Sequence, residues 1–182
     1  KLASMATMLM RIKRTRGRKE AAARAKEIRA LIAHAGKADS VDSVRGYEGR
    51  GSAVYFSCLR YGLDRDFGFA RRVRRPPTDP VNAMLSLVYT ALHWEAVREV
   101  QAAGFDPMLG FLHAFEYGRE SLACDMVEAL RPAADAWVWE LFRERVFRAR
   151  DFASGSERPG TYLKKEARKR FFPLYEKWAA PL

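Results

Sequence analysis

The sequence predicts an all-α fold. Apolar residues recur at helical spacing along most of the chain, and no strict two-residue alternation extends beyond about four residues. Ser, Asp and Pro residues stand where helices would begin, and Gly residues stand where they would end. We therefore expect about eight to nine helices. With 182 residues, the chain is long enough to bury one core, so a single α-helical domain over residues 1–182 is expected.

Three helices are predicted in the first third of the chain. The first begins at Leu2 and ends in a basic turn, and the second has an alanine-rich face that ends near Gly36. The third is capped by Ser40 or Asp42 and runs to about Leu59. Glycine is unfavourable inside a helix, so the glycines of this segment indicate either a break or the close approach of another backbone or ligand. They are Gly46, Gly49 and Gly51.

A buried central helix is predicted in the middle of the chain. Residues 62–77 are typical of a loop, since they are rich in arginine and end in two prolines. Asp79 is a favourable N-cap, and Pro80 is a favourable first helical residue. From Val81 to Val100 the chain is apolar on nearly every face. A helix with that pattern is expected at the centre of the fold.

The C-terminal part is predicted to contain further helices. Ser121 caps one that runs through Leu130, and Pro132 begins or kinks the next. A loop over 155–160 follows. The last helix is basic and runs from about Thr161 to about Trp178.

The charge of the chain favours a polyanionic partner. With 33 basic and 22 acidic residues, the net charge is +11. Clustered Lys and Arg bind phosphates and release counterions, although a membrane surface or a merely soluble basic surface is an alternative. The longest apolar stretch, around 84–94, is too short to span a bilayer. Cys58 and Cys124 are predicted as free, buried thiols, which fits a reducing compartment.

Four polar residues are candidates for catalysis. Asp125 and Glu128 are three apart on one predicted helix, so their side chains point the same way from an apolar surface. A bound hard cation would satisfy them, and so would a salt bridge from Arg131. Taken alone, His113 and Glu48 each fit an ordinary structural role as well as a functional one. Together the four supply an imidazole and three carboxylates, the ligand types used in metal-assisted phosphoryl transfer.

Several ordered segments resemble the motifs of one family. They are Tyr47-Glu48-Gly49 followed by Tyr55-Phe56, the stretch from Arg74 to Ser86, Leu109–His113, the stretch from Tyr117 to Pro132, and Tyr162-Leu163 with its basic helix. In this order they resemble the CRISPR-associated integrase/endonuclease family, which inserts new spacers. The resemblance implies the helical catalytic domain of that family, a fragment of a longer protein without the family's N-terminal β-domain, with core motifs at 46–132.

The resemblance also implies a metal site. A divalent Mg²⁺ or Mn²⁺ ion would be held by Glu48, His113 and Glu128, and Asp125 would be a second catalytic acid near it. The basic clusters and the motif of the central helix together give the candidate DNA-binding residues. These are Arg71, Arg72, Arg74, Arg75, Asn82, Lys164, Lys165 and Arg168.

The implied reaction is attack by a prespacer 3′-hydroxyl on a phosphodiester at the edge of a CRISPR repeat. The implied partners are double-stranded DNA, a second copy of the chain and a dimer of a small CRISPR adaptation protein, all in the prokaryotic cytoplasm and without a membrane. The chain's start permits a nuclease or reverse transcriptase fused upstream. A transposon-encoded relative that works without the partner protein is one alternative, and a non-catalytic basic DNA-binding module is another.

Overall fold

Six α-helices contain most of the residues that the computed structural model describes, which are 1–155 and 159–181. They are α1 (Leu2–Arg16), α2 (Lys19–Ala35), α3 (Val41–Leu59), α4 (Pro80–Ala102), α5 (Ser121–Arg143) and α6 (Lys165–Ala179). The predicted helical fold class is confirmed. The expected number of α-helices was too high, because the two helices expected on either side of Pro132 are one, α5. The described residues also contain short 3₁₀ turns at 60–62, 65–67 and 149–151.

Two predictions about the C-terminal half were wrong. Pro132 does not begin a separate helix, because α5 continues through it. A proline inside a helix costs about 3 kcal/mol, and burial of Val127 before it and Val138 after it offsets that cost. The last helix does not begin at Thr161. Instead, Thr161–Leu163 forms strand β2, which pairs antiparallel with β1 (Phe152–Ser154). Strands of three residues are too short to leave a readable alternation in the sequence.

The core is formed by two groups of helices that meet through α1. Helices α1, α2 and α3 pack on one another, α4 pairs with α5, and α1 also contacts α5. The predicted central helix is confirmed: Asp79 accepts a hydrogen bond from the backbone N–H of Asn82 at 2.9 Å, and Pro80 is the first helical residue. The N-terminal half of α4 is buried on nearly all sides, with Met84 and Leu85 fully inaccessible.

Helix α3 runs unbroken through its three glycines. Ser40 is its N-cap, accepting a hydrogen bond from the N–H of Ser43 at 3.2 Å. A Cβ atom at Gly51 would collide with the side chain of Leu2, so a close approach of helices explains this glycine. Apart from their chain neighbours and the backbone of α3, no described atom lies within 4 Å of the Cβ positions of Gly46 and Gly49, which therefore border open space beside Glu48.

Other sequence expectations have mixed outcomes. Cys58 and Cys124 are free as predicted, but only Cys58 is fully buried. Within the described residues, no helix is long and apolar enough to cross a membrane. Of the loop expected at 155–160, residues 156–158 lie outside the described residues, and the others belong to neither helix nor strand.

Candidate metal centre

Two acidic side chains from different helices meet at one cationic group. Glu48 on α3 and Glu128 on α5 each contact the ammonium group of Lys1 through one carboxylate oxygen. The second oxygen of Glu128 is paired with the guanidinium group of Arg131. The exposed fractions of the Lys1, Glu48 and Glu128 side chains are 14%, 21% and 11%. The cluster is therefore shielded from most of the solvent.

Glu128 is kept ionised by its neighbours. Its burial acts to raise the pKa, because desolvation disfavours a carboxylate. The charges of Arg131, Lys1 and His113, and the hydrogen bond from Lys1, outweigh this effect and hold the pKa below its ordinary value. Glu128 thus offers a negative charge at neutral pH in a largely buried site. Sequence reasoning foresaw its pairing with Arg131 but missed Lys1, which stands 127 residues away in sequence.

Asp125 organises the loop that carries His113. Its carboxylate accepts hydrogen bonds from the backbone N–H groups of Phe111, Leu112 and His113 at 2.6, 2.9 and 3.0 Å. It also lies 2.6 Å from Nδ1 of the His113 ring. One side chain on α5 therefore fixes both the backbone and the imidazole of the loop. A residue three positions before Glu128 can do this because both face the same side of α5.

The pairing with Asp125 decides which nitrogen of His113 remains available. Burial acts to raise the pKa of Asp125, but the hydrogen bonds from the His113 ring and from the loop backbone lower it below its ordinary value. The carboxylate is therefore ionised at neutral pH and accepts a hydrogen bond from Nδ1–H of the His113 ring. The lone pair of a neutral His113 is then on Nε2, the arrangement found where histidine binds a metal and a carboxylate orients it.

Helix α3 holds the histidine loop from its other side. Arg45, one turn before Glu48, donates from Nε to the backbone carbonyl of Leu112 at 2.6 Å, and its Nη2 donates to the same oxygen. A Cβ atom at Gly110 would lie 2.8 Å from the carbonyl oxygen of His113, so only glycine fits there. Sequence reasoning missed Arg45 and assigned no role to Gly110, which lies within the Leu109–His113 motif. The only available signal was the i to i+3 spacing of Arg45 and Glu48.

Ser121 also has a different role from the predicted one. It is the first residue of α5, whose N-cap is Glu120, and it makes no cap bond to the helix. Its hydroxyl instead donates to the carbonyl of Ala114 at 2.9 Å and ties down the end of the histidine loop.

The predicted ligands are neighbours, but they do not form a complete shell. Within 1–155 and 159–181, no group of three or more His, Cys, Asp and Glu side chains is arranged to hold a metal ion. Glu48 and Glu128 nevertheless fit a hard cation, because their carboxylates already enclose a positive ammonium group. His113 lies close enough for its charge to lower the pKa of Glu128.

Two of the expected DNA-binding residues make internal hydrogen bonds. Asn82 is fully buried and its side chain bonds Arg71, Asp79 and Val73. Arg72 donates to the side-chain oxygen of Asn82 and to Ser86, both at 2.9 Å. These bonds pin the arginine-rich loop to α4, and Asn82, which is fully buried, is not available for a phosphate. The expectation for Asn82 is therefore corrected, whereas Arg72 stays partly exposed and remains a prediction.

The other basic candidates are exposed and lie on adjoining segments. The backbone N–H of Thr161 donates to the carbonyl of Pro77 at 2.7 Å, which joins the arginine-rich loop to the segment before α6. The exposed candidates are Arg71, Arg74 and Arg75 on the loop, Lys164 just before α6, and Lys165 and Arg168 on its first turn.

A buried polar network lies behind the site and was not foreseen. The hydroxyl of Tyr89 donates to the carboxyl group of Asp135, which is only 1% exposed. The guanidinium carbon of Arg131 lies 5.0 Å from the centre of the Tyr89 ring. Burial raises the pKa of Asp135 to about 7, and its hydrogen bonds and nearby arginines offset only part of that rise. Arg131 therefore connects this network to Glu128.

The fold and the sequence are similar to those of known proteins. The family model described as CRISPR associated protein Cas1 matches residues 1–177. The CRISPR-associated endonuclease Cas1 1 of Thermodesulfovibrio yellowstonii is 55% identical over 139 residues, which cover 76% of this chain and 44% of that protein. The endonuclease Cas1 of Leptospira interrogans is 39% identical over 145 residues, or 77% of this chain and 56% of that protein.

Solved structures with the same fold are also similar to this chain. A chain of the Cas6-RT-Cas1–Cas2 complex has a TM-score of 0.86 at 26% identity, covering 96% of this chain and 20% of that one. A casposase bound to integration product has a TM-score of 0.78, covering 97% of this chain and 49% of that one, and at 19% identity it shows the fold alone. The chain spans about half the length of the curated relatives it matches. The resemblance of the ordered motifs is thus confirmed, and the chain belongs to the CRISPR-associated Cas1 family.

Proposed function

We propose that this chain is the catalytic part of a divalent-metal-dependent DNA endonuclease/integrase that inserts prespacer DNA into a CRISPR array. The observation that carries the proposal is the meeting of Glu48 and Glu128 around one cationic group, beside an imidazole held by Asp125. Membership of the Cas1 family and the names of its endonuclease relatives support it.

The metal would be held by Glu48, His113 and Glu128. A bound Mg²⁺ or Mn²⁺ would supply positive charge at the phosphate under attack and favour ionisation of the attacking hydroxyl. Glu128 is negative at the site because its neighbours stabilise the ionised form, as its lowered pKa indicates. Asp125 orients the His113 ring so that Nε2 presents its lone pair.

The reaction would be a transesterification. The 3′-hydroxyl of the prespacer forms a new bond to the phosphorus of a repeat phosphodiester, and the bond to the repeat strand's own 3′-oxygen breaks. The attacking hydroxyl loses a proton, and the leaving oxygen gains one. The proton of the attacking hydroxyl would pass to solvent, because Nδ1 of His113 faces Asp125 and its Nε2 is assigned to the metal. No external energy source is needed, because one phosphodiester replaces another.

The exposed basic residues would hold the DNA by its backbone. Arg74 and Arg75 on the loop and Lys164 and Lys165 near α6 are exposed on segments joined by the Pro77–Thr161 bond. Such contacts fix the position of a duplex without reading its bases. Base reading by this chain is not required for the proposal, since no base-reading motif stands in the sequence.

The proposed assembly is a dimer of this protein on a dimer of a small CRISPR adaptation protein, in the cytoplasm of a prokaryote. The solved Cas6-RT-Cas1–Cas2 complex supports both the partner and fusion to other enzymes. A Cas4/Cas1 fusion among the relatives supports the latter as well.

A transposon-encoded integrase that works without the partner protein is the second candidate. The casposase shares the fold, so the fold alone does not separate the two functions. The two functions differ in their substrates. The CRISPR enzyme joins prespacers to a repeat with its partner protein, whereas the transposon enzyme joins donor ends that carry terminal inverted repeats without that protein.

A strand-transfer assay tests the proposal. A labelled prespacer with free 3′-hydroxyls is incubated with a plasmid carrying the CRISPR repeat, the partner protein and Mg²⁺ or Mn²⁺. We expect joined product with the wild type and little or none with Glu48→Ala or His113→Ala. His93→Ala is the matched control, because His93 also pairs with an acidic side chain, Glu120, at 3.3 Å. Full activity of Glu48→Ala or His113→Ala would show that the site assignment is wrong, and DNA binding without joining by the wild type would favour a non-catalytic module.

A further inference from the structure

Lys1 is a charged residue of the site that neither the acidic motifs nor the histidine motif contains. Its ammonium group bridges Glu48 and Glu128, and its side chain is 14% exposed. The neighbouring Leu2 packs into the space left by Gly51, one turn after Glu48 on α3. The start of α1 is thereby fixed against the helix that carries one of the two acids. Lys1 is thus held in place by packing as well as by charge.

We propose that Lys1 is a built-in counter-ion that competes with the divalent metal for Glu48 and Glu128. The inference rests on the proposed function, since it assumes that these two acids bind a metal. Without metal, Lys1 keeps two carboxylates together that would otherwise repel each other. When the metal binds, Lys1 withdraws from the pair.

The contacts of Glu128 explain why the two cations compete. One of its oxygens pairs with Lys1 and the other pairs with Arg131, so both oxygens are already engaged. A metal placed between Glu48 and Glu128 needs the oxygens that Lys1 contacts. The Lys1 ammonium group and a metal that contacts the same oxygens would repel each other strongly in a partly buried site, where screening by water is weak. Arg131 uses the opposite oxygen and can stay.

A competing counter-ion differs from a conventional structural salt bridge in its effect on metal binding. A structural pair holds two helices together whatever else binds, so its loss lowers stability and leaves metal affinity unchanged or weaker. A competing counter-ion has the opposite signature: its loss lowers the stability of the metal-free protein but tightens metal binding. Lys1 links α1 to both α3 and α5, so both effects are measurable on one variant.

Calorimetric titration with Mn²⁺ tests the inference on the protein purified at its natural length. The variants are Lys1→Met and Lys1→Gln, which remove the charge, and Lys1→Arg, which keeps it. Lys13→Met is the matched control, because Lys13 is an exposed lysine on the same helix. Glu128→Gln identifies the binding that belongs to this site. Circular dichroism and thermal melting in the absence of metal check that each variant folds.

We expect both neutral variants to bind Mn²⁺ about tenfold more tightly than the wild type, a coupling of ordinary size between two bound groups. Lys1→Arg and Lys13→Met should stay near the wild-type affinity. Unchanged or weaker binding by the neutral variants, or equal tightening by Lys1→Arg, would overturn the inference. If that happened while Glu128→Gln abolished binding, the proposed metal site would stand and only the role of Lys1 would fail. If the wild type bound no Mn²⁺, or if Glu128→Gln bound Mn²⁺ as the wild type does, both proposals would be wrong.

Discussion

The carboxylate of Asp125 lies 2.6 Å from Nδ1 of His113 and also accepts hydrogen bonds from the backbone N–H groups of residues 111–113, in the loop that carries this histidine. Because Asp125 is ionised and makes all of these hydrogen bonds, it fixes both the position of His113 and the ring nitrogen that carries the proton. The acid three residues later on the same helix, Glu128, meets Glu48 through Lys1. The two acids of α5 therefore have separate tasks: one orients the imidazole and the other faces the cation.

Asp125→Asn should disorient His113 without removing it. The amide is uncharged and presents one acceptor oxygen where the carboxylate presents two, so the loop N–H groups and the ring lose their shared partner. We expect strand transfer to fall by about 10–100-fold, as is usual when the group that orients a metal-binding histidine is lost. Asp106→Asn is the control, because Asp106 also accepts a loop N–H, that of Met108, at 2.8 Å. Wild-type activity of Asp125→Asn would contradict this role.

Arg45→Ala should loosen the histidine loop from the side of α3. Its guanidinium group donates twice to the carbonyl of Leu112, and alanine leaves that oxygen without these donors. Hydrogen exchange measures the result directly, and we expect faster exchange of the N–H groups at 111–113. Arg45→Lys should restore part of the protection. Arg50→Ala, an exposed change on the same helix, should not alter exchange in this loop. Equal exchange in Arg45→Ala and the wild type would show that Arg45 does not hold the loop.

Asp135→Asn should remove a pH dependence of stability. Burial raises the pKa of Asp135 from 3.8 to about 7, so the folded protein keeps a proton that the unfolded chain releases. Between these values the folded state binds more protons, and this group's contribution to the free energy of unfolding therefore falls as the pH rises. In the wild type, the free energy of unfolding should lose roughly 2–4 kcal/mol of this contribution by pH 7. Asparagine stays neutral, so the variant should not show this loss.

Urea denaturation at several pH values between about 4.5 and 7.5 makes this comparison, with the unfolding free energy of each variant taken relative to wild type. The exposed residue Asp39 provides the control, since Asp39→Asn should leave the pH profile unchanged. A parallel pH profile for wild type and Asp135→Asn would mean that Asp135 is ionised when folded across this range.

Much of the fold could be predicted because its signals are local. The caps at Ser40 and Asp79 and the apolar face of α1 each depend on neighbouring residues, and each is confirmed. The wrong predictions concern features set by distant contacts. Helix α5 continues through Pro132 because both of its halves are buried, and strand β2 exists because a partner strand pairs with it.

The residues of the site also divide into those with a local signal in the sequence and those whose roles depend on distant contacts. The acids and the histidine were proposed from motif resemblance, and the spacing of Asp125 and Glu128 correctly indicated a shared helix face. Lys1 and Arg45 could not be foreseen in their roles, because a lysine 47 residues before Glu48 and an arginine 67 residues before Leu112 carry no local signal. Asn82 was expected to face phosphate, but its position near the start of a buried helix makes it an internal partner.

The most direct test of the central claim is metal-dependent strand transfer by Glu128→Gln beside Glu140→Gln. Both residues are on α5 and both are paired with a cationic side chain at the start of the chain, Glu128 with Lys1, the N-cap of α1, and Glu140 with Arg11 on α1. The site as described predicts that Glu128→Gln loses Mg²⁺- or Mn²⁺-dependent joining of prespacer to repeat while Glu140→Gln keeps it. Joining at the wild-type rate by Glu128→Gln would contradict the account, because the metal would then not depend on the carboxylate that faces Lys1.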